Sequence, residues 1–248
     1  MLMKSLTTSR HKITHRIARL YSKLLLTPCL LCGSHTDQHT LCLPCTDSLP
    51  KLGHVCQRCA LPITQGVLCG QCLIKPPIRH LTHCLFPYQS PIDRLIADLK
   101  YHDRLAVSNF FALQFTQHIK ARSDLMPALL IPIPLHPKRI RQRGYNQSTE
   151  VTKILSKQLH IPYDNRALTR IKNTLPQTRL PYSERKQNIR SAFKCNSPSL
   201  PSHIALIDDV LTTGHTADTA AKILIQNGVK KVELWTIART IRHHSIHG

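Results

Sequence analysis

The sequence predicts an α/β fold: a parallel sheet flanked by helices, preceded by a small module held together by metal. Three observations predict it. Continuous apolar runs at Leu129–Pro134 and Ile204–Ile207 read as strands covered on both faces, the pattern of parallel sheets. Stretches with apolar residues at helical spacing lie around and between them. Eight cysteines fall in four CxxC pairs before residue 73, a pattern of metal knuckles. With 248 residues, 42% of them hydrophobic, the chain is long enough for one substantial α/β domain and a smaller module.

From about His11 to Leu26, Ile13, Ile17, Leu20, Tyr21 and Leu24 recur at helical intervals, with Lys12, Arg16, Arg19 and Lys23 on other faces. This predicts a basic amphipathic helix that packs on the neighbouring module, contacts phosphates or lies on a membrane surface. Next come CLLCGSHTDQHTLCLPC, with Cys29, Cys32, Cys42 and Cys45, and CQRCALPITQGVLCGQC, with Cys56, Cys59, Cys69 and Cys72. Nine residues separate the two knuckles of each half, and every cysteine of the first recurs 27 positions later in the second. That is an internal duplication. Four thiolates from two knuckles make the closed tetrahedral shell of a structural zinc site, so two zinc ions are expected, in sequential sites, with a crossed pairing of the first knuckle with the third as the alternative. An iron–sulfur cluster is the rival metal reading, and a redox role suits one CxxC better than four in register. Cys84 and Cys195 lie outside the pattern and read as small apolar residues.

Ile74 to His83, with Pro76 and Pro77, reads as a linker. The expected organisation is a basic helix at 1–28, the duplicated four-cysteine zinc-binding module at 29–76 and the α/β domain at 77–248. Ile92, Leu95, Ile96 and Leu99 predict a helix running towards LKYHDR, and Leu105 through Ile119 a second one. Lys100 and Arg104 offer anion contacts there. The strand at Leu129–Pro134 feeds LHPKRIRQRGYNQS, a basic loop holding Lys138, Arg139, Arg141 and Arg143 before Gly144. Tyr145, Asn146 and Gln147 begin a helix reaching about Leu159. The stretch from Arg170 to Cys195 is polar, basic and without a clear period, so it is either functional or mobile.

Ile204–Ile207 then leads into Asp208 and Asp209, where ligands of open α/β sheets bind. The turn Thr212, Thr213, Gly214, His215, Thr216 opens a helix with Ala217, Ala220, Ala221 and Leu224 inward. Two carboxylates beside backbone N–H groups, hydroxyls and a helix N-terminus make a site for a phosphorylated sugar. The helix ends near Asn227 and Gly228, Val232–Ile237 alternates as a last strand, and ARTIRHHSIHG is expected to be a frayed basic tail.

The formal charge of +21 and a pI near 10.0 are extreme for an enzyme of small metabolites. They point to a polyanionic partner, nucleic acid first, with anionic membrane surfaces as the rival. Neither a run of 18 apolar residues nor a secretory h-region is evident, which predicts a cytoplasmic protein without a transmembrane segment.

The run IALIDDVLTTGHT resembles the phosphoribosyl pyrophosphate (PRPP) motif of type I phosphoribosyltransferases. That resemblance implies ribose hydroxyls on Asp208 and Asp209, and the 5-phosphate on Thr212, Thr213, Gly214, His215 and Thr216. His215 departs from the small residue usual there, although its backbone N–H can still serve. By the same resemblance Lys138, Arg139 and Arg143 would hold the pyrophosphate with its magnesium, and the stretch after Arg170 would be a flap with Gln177, Arg185 and Asn188 facing inward. Some 6-oxopurine enzymes carry a further acid where this chain has Thr212, which disfavours a purine-salvage substrate.

Taken together, the paired knuckles, the LKY segment, PIPLHPKRIRQRGYNQ, QTRLPYSERKQNIR and LIDDVLTTGHT, in this order, resemble the ComF family from roughly Cys29 to Arg239. The resemblance implies a type I phosphoribosyltransferase-like fold with an N-terminal zinc-ribbon-like module. It also implies magnesium–PRPP binding and a role in DNA uptake and natural transformation, handling single-stranded DNA in the cytoplasm with other DNA-uptake proteins as possible partners. The alternative is an active phosphoribosyltransferase of nucleotide metabolism whose acceptor the sequence does not name. Enzymatic turnover stays open between them, and no catalytic residue is assigned.

Overall fold

A computed structural model describes residues 27–36, 40–101, 105–122, 125–171 and 192–241. The basic helix expected before Thr27, Arg104, the flap residues Gln177, Arg185 and Asn188 and the terminal histidines lie outside them. Compact packing divides the chain between Leu49 and Pro50, inside the duplicated module expected at 29–76.

In the first unit, β1 (Thr27–Pro28) pairs antiparallel with β2 (His35–Thr36), and α1 (Leu43–Asp47) starts from Cys42 at its N-cap. The second unit opens with the repeat of that arrangement, α2 (Gly70–Ile74) starting from Cys69. Cys56, Cys59 and Cys72 are buried there with Leu61, Ile63 and Leu68 packed against them. A module this small has little core beyond its sulfurs, which is why a metal is needed to hold it.

The rest of the second unit is built on a parallel sheet with strand order β3-β8-β7-β4. These strands are β3 (Leu81–Pro87), β4 (Leu129–Pro132), β7 (His203–Leu211) and β8 (Lys231–Arg239). Helices α3 (Ile92–Tyr101) and α4 (Leu105–Lys120) follow β3, α5 (Pro137–Arg143) and α6 (Gln147–Leu159) follow β4, and α7 (His215–Gln226) joins β7 to β8. Short strands β5 (Leu168–Arg170) and β6 (Phe193–Cys195) pair antiparallel with each other.

Sequence and structure differ in three informative places. The last strand, expected over Val232–Ile237, runs as β8 from Lys231 to Arg239 and lies between β3 and β7, with every residue from Val232 to Arg239 buried. Glu233 survives there at 0% exposure because His203 and Lys231 contact one carboxylate oxygen at 3.0 and 3.2 Å while Trp235 Nε1 donates to the other at 3.0 Å. Arg239, assigned to the frayed tail, instead closes the strand, paired in register with Pro87 and Leu211. Finally, the basic loop after β4 is the helix α5. Pro137 stands at its first turn, His136 Nδ1 accepts from Lys138 N at 3.2 Å, and Gly144 (φ 80°) ends it.

Candidate sugar-phosphate site and metal centres

β7 carries the two acids within its last four residues, since Asp208 and Val210 still pair with Thr236 and Ala238 of β8. Their carboxylates fold back on the strand: Asp208 Oδ1 accepts from Asp209 N at 2.9 Å, and Asp209 Oδ1 from Val210 N at 2.7 Å. The other oxygen of Asp209 receives Lys100 Nζ at 2.6 Å and Gln147 Nε2 at 3.0 Å. Burial opposes ionisation of Asp209, but the Lys100 charge and these hydrogen bonds outweigh it and hold its carboxyl below the usual value. For Asp208, burial and then the neighbouring Asp209 charge push the pKa well up. The pair is therefore divided into one anion and one carboxyl that holds its proton more tightly.

Beyond Leu211, Thr212 and Thr213 are exposed. Gly214 takes a left-handed conformation (φ 82°) and forms the N-cap of α7 without a side-chain cap, and the amide of Asp218 bonds back to its carbonyl at 2.8 Å. A helix opened this way leaves its first amides for an external acceptor, and an anion suits the dipole. His215 and Thr216, half buried, lie in the first turn. A Cβ at Gly214 would stand 2.9 Å from Arg79 Nη1, so glycine is needed for space as well as for conformation.

The cationic side comes from α5. Lys138 is exposed, Arg139 and Arg143 are half buried, and Arg143 Nη1 donates to Gln147 Oε1 at 3.4 Å. Asn146 caps α6 through Ser148 N at 3.1 Å and donates to the Ile133 carbonyl at 3.0 Å. The Tyr145 hydroxyl donates to the Leu99 carbonyl. The GYNQ segment thus ties the end of β4 to the helix bearing Lys100. Arg170 lies over the Phe193 ring at 5.6 Å. Burial lowers its pKa first, followed by the Arg139 charge, while Asp208 raises it. The direct link between the basic helix and the acid pair is Gln147, whose amide accepts from Arg143 and donates to Asp209.

Lys100, read in the sequence as an anion contact, pairs with Asp209. Three residues of this region escape a functional reading in the sequence. Gln147 carries only the signal of a helix start. Arg79 sits in what reads as a linker, and Arg239 in a tail. Nothing local marks either arginine, since both are placed by contacts between distant segments.

The metal sets are ordered as the duplication predicts. Cys29, Cys32, Cys42 and Cys45 offer sulfurs that all lie within 4.8 Å of one another, as do those of Cys56, Cys59, Cys69 and Cys72. The Cys32–Cys42 and Cys59–Cys69 sulfurs are each 3.6 Å apart. A tetrahedron with Zn–S bonds of about 2.3 Å has edges of about 3.8 Å, so the donor sets fit zinc. Against burial, amides of Cys32, Cys42 and Leu31 bring the Cys29 thiol down to about 6, and those of Cys69, Arg58 and Cys59 bring Cys56 down to about 7. Within the same sets, hydrogen bonds from Cys42 and Cys32 push Cys45 up, and burial pushes Cys59 and Cys72 up, so the donor geometry carries the zinc reading. Cys84 stays apart, buried in β3 and pushed up to about 12 by that burial.

A double zinc ribbon domain family matches residues 21–73. Over 206 residues the chain is 33% identical to the DNA utilization protein YhgH of Shigella flexneri, covering 81% of this chain and 91% of that protein. It belongs to the ComF family. Competence protein F of Haemophilus influenzae is 29% identical over 85% of this chain and 96% of its own length. Competence protein ComFC of Bacillus subtilis is 26% identical over 86% and 95%. Among solved structures, a purine phosphoribosyltransferase from Pyrococcus horikoshii aligns with 54% of this chain and 82% of its own, at a TM-score of 0.32 and 10% identity. The ComF chain has the parallel sheet flanked by helices and, on its N-terminal side, the zinc-ribbon match with two four-cysteine sets that its sequence predicts.

Proposed function

We propose that this ComF-family chain binds PRPP with magnesium and serves DNA uptake in natural transformation by handling single-stranded DNA in the cytoplasm. The observation that carries the reading is that β7 runs from the Asp208–Asp209 pair into the Gly214 turn at the head of α7, while Gln147 joins Asp209 to Arg143 of the basic helix α5. Ribose hydroxyls would engage Asp208 and Asp209. Thr212, Thr213, Gly214, His215 and Thr216 would take the 5-phosphate through backbone N–H groups and hydroxyls. Lys138, Arg139 and Arg143 would take the pyrophosphate. Magnesium would neutralise part of the ligand's charge.

The DNA role draws on the names of the relatives, a DNA utilization protein and two competence proteins, and on the +21 charge. Aromatic residues are only 5% of the sequence, which favours contact with the phosphate backbone over base stacking and so little sequence preference. Among the described residues no helix is long and apolar enough to cross a membrane. The eight knuckle cysteines would hold two structural zinc ions.

Calorimetry with magnesium and PRPP tests the pocket: Asp208→Ala and Asp209→Ala abolish binding, and unchanged binding in both sinks the assignment. Affinity for single-stranded DNA falls steeply with rising salt, and a flat salt profile refutes phosphate-led binding. The second reading, transfer of the phosphoribosyl group to an acceptor, draws on the intact loop. Pyrophosphate release across nucleobases, amines and DNA separates it from a binding-only pocket.

A further inference from the structure

Two buried arginines join the second four-cysteine site to the loop that follows β7. Arg239, 9% exposed, donates from Nε to the Cys59 carbonyl at 2.9 Å. Its Nη1 donates to the Leu211 carbonyl at 2.9 Å and to that of Thr212. One guanidinium thus spans a metal-ligand residue and the first residues of the loop. Arg79, 3% exposed, makes a parallel link. Its Nη1 pairs with Asp218 in the first turn of α7 at 2.6 Å and packs against Gly214. Its Nε donates to Thr82 Oγ1 at 2.8 Å, and that hydroxyl donates to the Arg58 carbonyl at 2.7 Å. The Thr82 amide also bonds to the Gln57 carbonyl at 2.7 Å. Residues 57, 58 and 59 are the turn of the CxxC knuckle itself.

We infer that the second four-cysteine site is a positioning element of the sugar-phosphate loop, acting through Arg239 and the Arg79–Thr82 pair, so that its metal loading governs the capture of phosphate esters. The inference rests on the sugar-phosphate reading of the loop. A knuckle turn keeps its shape only while its sulfurs converge on a metal. When it relaxes, the carbonyls of Arg58 and Cys59 leave their donors, and two desolvated arginines lose the partners that fix Leu211, Thr212 and Asp218. The lysine ammonium carries all three of its donors on one atom and lacks the separate Nε and Nη1 donors that Arg239 uses, so charge alone does not replace Arg239. The duplicated halves thereby differ in use: the second is built into the ligand site, 180 positions in sequence from the arginine that it holds.

The test uses the full chain, with hydrogen exchange of peptides spanning 208–218, zinc content and calorimetry with PRPP and magnesium. Chelation speeds loop exchange in the wild type. Arg239→Gln, Arg239→Lys and Thr82→Val do so with zinc still bound, and each weakens PRPP binding by about tenfold or more, the size expected for one lost bond to a charged group. Thr82→Ser, which keeps the hydroxyl, restores both readouts. Peptides of α6 keep their protection throughout. If wild-type protein fails to bind PRPP while the loop still responds, the coupling stands and the sugar-phosphate reading falls. If wild-type protein binds PRPP but Arg239→Gln and Thr82→Val change neither exchange nor affinity, the inference is overturned. Protection lost equally in α6 in every variant assigns these residues to the core and overturns it as well.

Discussion

Gly214→Ala and Gly144→Ala form a matched pair that measures how tightly the phosphate loop is enclosed. Both glycines have positive φ, 82° and 80°, so a Cβ at either brings a conformational penalty of about 1–2 kcal/mol. Only Gly214 adds a steric one. Its Cβ would lie 2.9 Å from Arg79 Nη1 and 3.3 Å from Nη2, whereas at Gly144 nothing lies within 4 Å. Arg79 cannot swing away freely, being 3% exposed and held by Asp218 and Thr82. Displacing it costs about 1.5–3 kcal/mol more, as for a hydrogen bond to a charged group. Gly214→Ala should therefore destabilise the protein by about 2.5–5 kcal/mol and Gly144→Ala by about 1–2 kcal/mol, or roughly 5–20 °C against 2–8 °C in Tm for a chain of this size. Trp235, buried at 0% exposure in β8, is the one tryptophan of the sequence, and its fluorescence follows the unfolding. Equal losses in the two variants would refute the argument that Arg79 closes over the loop.

Three further outcomes follow from the same physics. Glu233→Gln leaves Arg122, Lys231 and the nearby histidines around a neutral amide and costs about 3–5 kcal/mol, read as a lower denaturation midpoint; a midpoint within error of wild type contradicts it. Burial opposes ionisation of Glu233, yet the Trp235 hydrogen bond and the His83 and Lys231 contributions hold its pKa below the usual 4.5. The folded state therefore binds fewer protons than the unfolded chain, and this stability is present above about pH 4.5 and lost as pH falls through the depressed value. The Gln variant should show a shallower acid limb in pH-dependent unfolding than the wild type. Removing metal with a chelator should unfold both four-cysteine modules, because structural zinc contributes about 10–16 kcal/mol in zinc-finger peptides at neutral pH; unchanged protease resistance of residues 27–73 after chelation would count against structural zinc.

What is legible in the sequence is what short-range pattern encodes. The run Ile204–Ile207 declares a buried strand because parallel strands are covered on both faces, and the Asp208–Asp209 pair with the Gly214 turn follows from local chemistry alone. The spacing of the knuckles yields both metal sets, since the ligands of each site come from one short segment. The basic stretch after β4 reads as a loop and is a helix. Its charge density masks Pro137, which suits a first helical turn.

Tertiary structure alone decides the partners. The sequence places a last strand at Val232–Ile237 but not its position; the strand is central, and Glu233 is accommodated by groups from β3, β7, β8 and the segment after α4. Lys100 reaches Asp209 from a helix more than a hundred residues away in sequence, and Arg79 reaches Asp218 across 139 positions. Periodicity and motif spacing describe what one segment does by itself. Which charge meets which across a parallel sheet depends on strand order, here β3-β8-β7-β4, and strand order is set by crossover connections that leave no local mark in the chain.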